Sequence, residues 1–339
     1  MRLISTDEYN ETTMQLARPI YDKYSRVLLA AGRTIHPVYL SKMEQMGIRY
    51  LMIEDAVSEG ITMEEVIDSS DWMQSIIIME KVFNQLEQNG KILINELHKL
   101  ATRLVHEVSI RKTIILFPTS SLALELGKYA HAVNTAVLSL HLAKKKLIAP
   151  SHMKDIAIGA LIHDIGKIMT KELENHPTEG YNLIKKERDI NLLIAHCSYQ
   201  HHERVDGQGF PRKLQGNQIH EYAQLVSISS MYDNLLSEKK LKPHEAIEYI
   251  MTLAGSYFSN ELVTLFVNEV PSYIPGTKVI LTNDREAIVT QIRGSIQRPF
   301  IRYLDTDEEL SLVNHPTLFI QQVIEKEIVL QDREIEDKN

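Results

Sequence analysis

His163-Asp164-Ile165-Gly166-Lys167 closes an apolar helical run that includes Ile156, Ala157, Ala160 and Leu161. Burying an imidazole, a carboxylate and an ammonium at the end of such a helix is costly unless they are paired or hold a ligand. Gly166 permits a close turn there, and Lys167 directs a cation at any anion the site receives. The stretch therefore predicts a helical domain with a polar, metal-holding centre.

Upstream, the helix expected over Lys128–Leu142 places His131, Asn134/Thr135 and Leu138 along one stripe. Downstream come His176-Pro177-Thr178-Glu179-Gly180 and then Gln200-His201-His202-Glu203-Arg204-Val205-Asp206-Gly207-Gln208-Gly209-Phe210-Pro211. Adjacent histidines on a helix diverge by about 100°, so they serve either two neighbouring metals or one metal and an acceptor behind it. The glycines after them require a tight loop able to bring backbone close to a ligand. Each signal alone is weak, but together they form a specific pattern. Imidazoles with a carboxylate and no thiolate suit iron, manganese or zinc. Two such ions roughly 3.5–4 Å apart supply a nucleophile and a clamp for in-line displacement at phosphorus, with Asp164 as the natural bridge.

Around this centre the texture changes. Residues 1–70 read as a small α+β unit for sensing or docking, with extended stretches at Met14–Tyr21 and Arg26–Ala31. A helix from Pro37 to Gly47 and a buried strand at Tyr50–Ile53 complete it. Residues 71–118 read as connecting helices, with Ile76, Met79, Phe83 and Leu86 at helical spacing from Trp72 to about Leu116. The same stripe offers a dimer seam. Residues 119–270 hold the metal centre. Residues 271–331 form a β-rich appendix, from strands at Tyr273–Leu281, Ala287–Arg293 and Phe300–Leu304, and 332–339 a polar tail.

Composition narrows the function. Of 339 residues, 44% are apolar and 24% charged, as in an ordinary soluble chain, and the net charge of -8 argues against binding polymeric nucleic acid. The one cysteine, Cys197, excludes a disulfide framework and reads as a buried hydrophobe. There is no signal-like start and no apolar run near the 18 or so residues that span a bilayer, so a cytoplasmic protein is expected.

The HDIGK stretch, His176-Pro177 and the segment from His201 to Pro211 resemble the HD-GYP family, a branch of the HD superfamily of metal-dependent phosphohydrolases. The resemblance covers about residues 120–270. It implies a mainly α protein: an all-helical HD-type domain between the small N-terminal α+β unit and the small C-terminal β appendix. It further implies two divalent ions, most often iron or manganese, and hydrolysis of cyclic di-GMP to pGpG or GMP in bacterial signalling. By resemblance, His131, His163 and Asp164 hold one ion, and Asp164 with His176, His201 and His202 the other. Asp164 and Lys167 take the catalytic roles, Lys167 stabilising charge at the scissile phosphate. Lys167, Gly207, Gly209, Phe210, Lys239 and Lys242 contact the nucleotide.

The chain departs from the family pattern in several places. Ser230 stands where a further aspartate ligand is expected, while Asp233 matches a generally non-ligating one. Gly127 occupies the position that supplies an acid for a third ion. The segment between the doublet and His176 is shorter than is typical. Phe210 replaces the signature tyrosine, which leaves the ring without its hydroxyl. Lys239 and Lys242 replace arginines and lack the bidentate fork, so solvated surface lysines are an equal reading of them. Two functions follow: a cyclic di-GMP phosphodiesterase, weakened by Ser230, or a catalytically degenerate domain that binds a nucleotide or a protein. Homodimerisation is a further expectation.

Overall fold

The computed structural model describes residues 1–63 and 67–324; the tail expected at 332–339 lies outside the described residues. The N-terminal unit contains β1 (Arg2–Ser5), β2 (Gln15–Leu16), β3 (Ile20–Tyr21), β4 (Val27–Leu29), α1 (Pro37–Gln45) and β5 (Tyr50–Glu54). Its antiparallel sheet has the order β1-β5-β2, with Leu3 opposite Met52 and Gln15 opposite Glu54, and β3 pairs with β4. Pro37 sits in the first turn of α1, where its missing N–H costs no helical bond. β1 carries no strand signal of its own, since the partner that makes it a strand, β5, lies about 50 residues further along the chain.

Next come α2 (Ser69–Asn89) and α3 (Ile94–Ile110). Helix is thus lost at Ile110, short of the expected Leu116. Arg111 is already extended, and the Lys144 ammonium takes the carbonyls of Val108, Ser109 and Arg111. Pro118 also disfavours helix at the residue before it. The stripe of Ile76, Met79, Phe83 and Leu86 is buried in the same apolar cluster as α3 and α4, with the Phe83 ring edge-on to Tyr129. That burial within the chain leaves this stripe no face for a dimer seam.

The central helices are α4 (Gly127–Lys145), α5 (Pro150–Leu161), α6 (His176–Ile184), α7 (Leu192–Gln200), α8 (Glu221–Ser237), α9 (Pro243–Thr252) and α10 (Asn260–Glu269). From Ile156 to Leu161 α5 is buried on every side, and the helix packs on α3, α4, α7 and α8. Such a helix must be apolar on every face, and Ile156 to Leu161 are accordingly Ile, Ala and Gly with one closing Leu. Cys197 on α7 is buried against it, as its sequence setting predicts.

The C-terminal sheet is formed by β6 (Lys278–Leu281), β7 (Glu286–Gln291), β8 (Phe300–Tyr303), β9 (Glu309–Ser311) and β10 (Ile320–Val323), in the order β10-β6-β7-β8-β9. Three of these strands were legible; β9 and β10 are short and weakly patterned. The protein is mainly α with small flanking sheets. Among the described residues no helix is long and apolar enough to cross a membrane.

Candidate metal centre

The centre forms where α5 ends. Ile162 leaves the helical register, and Ile165–Ile168 continue as a tight 3-10 turn against the start of α6. Gly166 makes that approach possible: a Cβ there would run into the His176 carbonyl and the Gly180 N–H. The doublet and His176 are thereby placed side by side, while the C-terminal end of α7 delivers His201 and His202. His131 comes from the first turns of α4, and α8 brings Ser230 alongside it.

Two groups of potential ligand atoms result, each with its atoms within 4.8 Å of one another: His131, His163 and Asp164, and Asp164, His176, His201 and His202. Asp164 belongs to both, and its oxygens divide between them. Oδ1 lies 3.2 Å from His176 Nε2 and 3.4 Å from His201 Nε2. Oδ2 lies 3.5 Å from His163 Nε2, 3.9 Å from His131 Nε2 and 2.5 Å from Lys167 Nζ. His201 and His202 both enter the same group, so the adjacent histidines do not split between the two.

The imidazole tautomers follow from hydrogen bonding. His163 Nδ1 lies 2.7 Å from the Ala160 carbonyl, His176 Nδ1 2.6 Å from that of Leu173, and His201 Nδ1 2.8 Å from that of Ser198. A carbonyl only accepts, so Nδ1 carries the proton in each and Nε2 presents its lone pair inward. His176 Nε2 and His201 Nε2 then face each other across 3.2 Å. His163 Nε2 and His202 Nε2 are buried without a hydrogen-bond partner among the described residues. Lone pairs that converge on one space with no proton between them fit a bound cation, and these residues suit one.

Electrostatics agree. Burial pushes the Asp164 carboxyl up, but His163, His176, His201 and Lys167 outweigh it and hold it well below the usual carboxylate range. Burial, with the neighbouring imidazoles, pushes His163, His201 and His202 down, so they are neutral and ready to ligate. His131 goes the other way: burial lowers it, but the Asp233 carboxylate raises it more.

Ser230 Oγ stands 3.2 Å from His131 Nε2, so a neutral hydroxyl faces the inner nitrogen of the first group. Asp233 stays one turn behind it, 2.7 Å from His131 Nδ1. Lys167 is half exposed at the rim, paired with Asp164. The loop after α7 is held by Glu203, a buried residue whose carboxylate accepts the N–H groups of Arg212 and Leu214 at 2.7 and 2.9 Å. The sequence shows Glu203 beside the histidines but gives no sign of this anchoring role. Gly207 has φ +77°, and a Cβ at Gly209 would strike the backbone of Glu203 and Arg204. Both glycines therefore have reasons within the chain itself. Phe210 lies flat on the His202 ring, centroids 4.6 Å apart and 15° between planes, which steadies that imidazole.

Neither Lys239 nor Lys242 belongs to the secondary structure that carries these ligands. Lys239 is exposed beyond the end of α8. Lys242 caps α9 and lines a cavity of about 730 Å³ between the N-terminal unit, the α8–α9 corner and the C-terminal sheet; none of the six potential ligands lines that cavity.

Residues 122–262 match the family model described as an HD domain. A cyclic di-GMP phosphodiesterase of Pseudomonas aeruginosa is 26% identical over 219 residues, which is 57% of this chain and 52% of that protein. Another, of Thermotoga maritima, is 28% identical over 164 residues, 42% of this chain and 45% of its own length. The chain thus spans about half the length of the curated relatives it matches. A solved HDG"Y"P protein from Bdellovibrio bacteriovorus has the same fold, with a TM-score of 0.50 at 16% identity over 78% of this chain and 98% of that one.

Proposed function

This chain belongs to the HD-GYP family of HD-domain proteins, and on that premise we propose that it is a metal-dependent phosphodiesterase that opens cyclic di-GMP to pGpG and onward to GMP. One observation carries the reading: two groups of inward-facing lone pairs share the single carboxylate of Asp164, one oxygen to each. His131, His163 and Asp164 would hold one divalent ion, and Asp164, His176, His201 and His202 the second. Imidazoles with one carboxylate suit iron, manganese or zinc, and the family resemblance favours iron or manganese among them. Bound ions supply Lewis-acid activation of water and of the phosphoryl group.

The chain's own residues do the rest. A single carboxylate among the ligands leaves the loaded centre positive and complementary to a phosphodiester. The backbone carbonyls of Ala160, Leu173 and Ser198 hold three imidazoles in the ligating tautomer, so no reorganisation is needed on binding. Lys167, at the open rim, is placed to meet a non-bridging phosphate oxygen. In the reaction, the water oxygen ends on phosphorus, the bond to the ribose 3′ oxygen breaks, and that oxygen leaves with a proton.

The test is anaerobic purification, metal analysis and incubation with cyclic di-GMP in the presence of ferrous or manganous ion. The expected result is bound metal and linear dinucleotide. Metal-free protein that yields no product after reconstitution would overturn the reading.

A further inference from the structure

The Nδ1 partners of His163, His176 and His201 are backbone carbonyls, which cannot change roles; that of His131 is a side chain. A chain of hydrogen bonds runs behind it. Trp72 Nε1, on α2, lies 2.9 Å from Asn134 Oδ1. An indole N–H only donates, so this contact fixes the amide with its oxygen toward Trp72. The Asn134 NH2 then points the other way, to Asp233 Oδ1 at 2.7 Å and the Phe117 carbonyl at 2.9 Å. Both are acceptors, in keeping with that orientation. With Oδ1 engaged, Asp233 offers Oδ2 to His131 Nδ1 at 2.7 Å. A carboxylate requires the proton on Nδ1, which leaves the Nε2 lone pair facing Ser230 Oγ and Asp164. Trp72, Asn134 and Asp233 are 4%, 1% and 1% exposed, so water does not take over these bonds.

We infer that Trp72, Asn134 and Asp233 are positioning residues that set the tautomer of His131, and through it the ability of the first group to hold a divalent ion. The inference rests on reading that group as metal ligands. It gives Asp233 a role that its distance from the centre conceals: it is not a substitute ligand for Ser230 but the residue that keeps His131 a ligand. The chain of bonds also begins at the seam with the N-terminal unit. The Trp72 and Phe117 rings lie 4.9 Å apart, and the Arg18 guanidinium lies over the Phe117 ring.

The experiment uses the full chain, labelled with 15N at histidine, metal-free and at alkaline pH where the imidazoles are neutral. Two-bond proton–nitrogen correlations read each tautomer directly. The wild type is expected to show His131 protonated at Nδ1. In Asp233→Asn the new amide must turn its oxygen to the Asn134 NH2 and its own NH2 to His131, which drives the proton to Nε2. Calorimetry should then show manganese binding at the first group weakened about ten- to hundredfold. The double variant N134D/D233N reverses the order: the carboxylate at 134 accepts from both Trp72 and the amide NH2, and the amide oxygen again accepts from Nδ1. The Nδ1 tautomer and most of the manganese affinity should return, although the Phe117 carbonyl loses its donor and the melting temperature falls. A residue that acts only through packing predicts the double variant to be worse than the single one. Wild-type His131 protonated at Nε2, Asp233→Asn retaining Nδ1–H, or a double variant that binds no better than the single would each overturn the inference. The tautomers are read without metal or substrate, so they decide this point even if the protein hydrolyses nothing.

Discussion

Ser230→Asp places a carboxylate where the first group has only a hydroxyl, and its consequences divide by metal state. Ser230 Oγ lies 3.2 Å from His131 Nε2, which is itself 3.9 Å from Asp164 Oδ2. An acidic oxygen at the Ser230 Oγ position would therefore stand no more than about 7 Å from the Asp164 carboxylate, which at an effective dielectric of about 20 is a repulsion of roughly 2 kcal/mol or more. Proton uptake by His131, already raised by Asp233, relieves part of this. The metal-free variant should be destabilised by about 1–3 kcal/mol, a fall of roughly 3–10 °C in melting temperature. With a divalent ion present the sign inverts, because the two carboxylates now share a cation. Affinity at the first group should rise about ten- to hundredfold, or ~1.4–2.8 kcal/mol. Differential scanning calorimetry with and without manganese measures both halves, and turnover of cyclic di-GMP should increase with occupancy. A variant that melts like the wild type without metal and binds manganese no tighter would refute the placing of residue 230 at the ion.

Four further substitutions probe other links. Asp164→Asn removes the one group common to both ligand sets, so metal analysis should show both ions lost, whereas His202→Ala should weaken only the second group. Glu203→Gln keeps the shape of the loop anchor but loses one of its two acceptors, so urea unfolding should reveal a loss of about 1–3 kcal/mol. Burial, with Lys145 and Lys144 nearby, pushes His141 down to about 4, below its ordinary 6.5. The unfolded chain therefore takes up the proton first, and stability is lost as pH falls from about 6.5 toward 4. Between pH 7 and 5 this amounts to about 2 kcal/mol from His141, a loss that His141→Gln should abolish in chemical denaturation at the two pH values.

How much was legible in the sequence follows from the range of each interaction. The helices of the centre and the types of residue it uses were readable because both are local. A helix announces itself by periodicity over a few turns, and α5 had to be apolar on all faces to lie beneath the doublet. The histidines and Asp164 were recognisable because lone-pair donors are few among side chains and their pairing with an apolar helix end is costly without a ligand. The same locality gave Pro37, Tyr50–Ile53 and the first strands of the C-terminal sheet.

Tertiary structure alone decided what depends on closing long loops. β1 finds Tyr50–Glu54 across most of the N-terminal unit, and no pattern within Arg2–Ser5 reports that pairing. The oxygens of Asp164 divide between two ligand sets only because α4, α6 and α7 converge on the end of α5. Phe210 turns its ring to His202, and Lys242 lines a separate cavity, since loop paths are set by anchors such as Glu203. The tautomer of His131 is the furthest case. It is fixed by Asp233, Asn134 and Trp72, residues that lie on three helices and meet only because buried donors and acceptors must each find a partner.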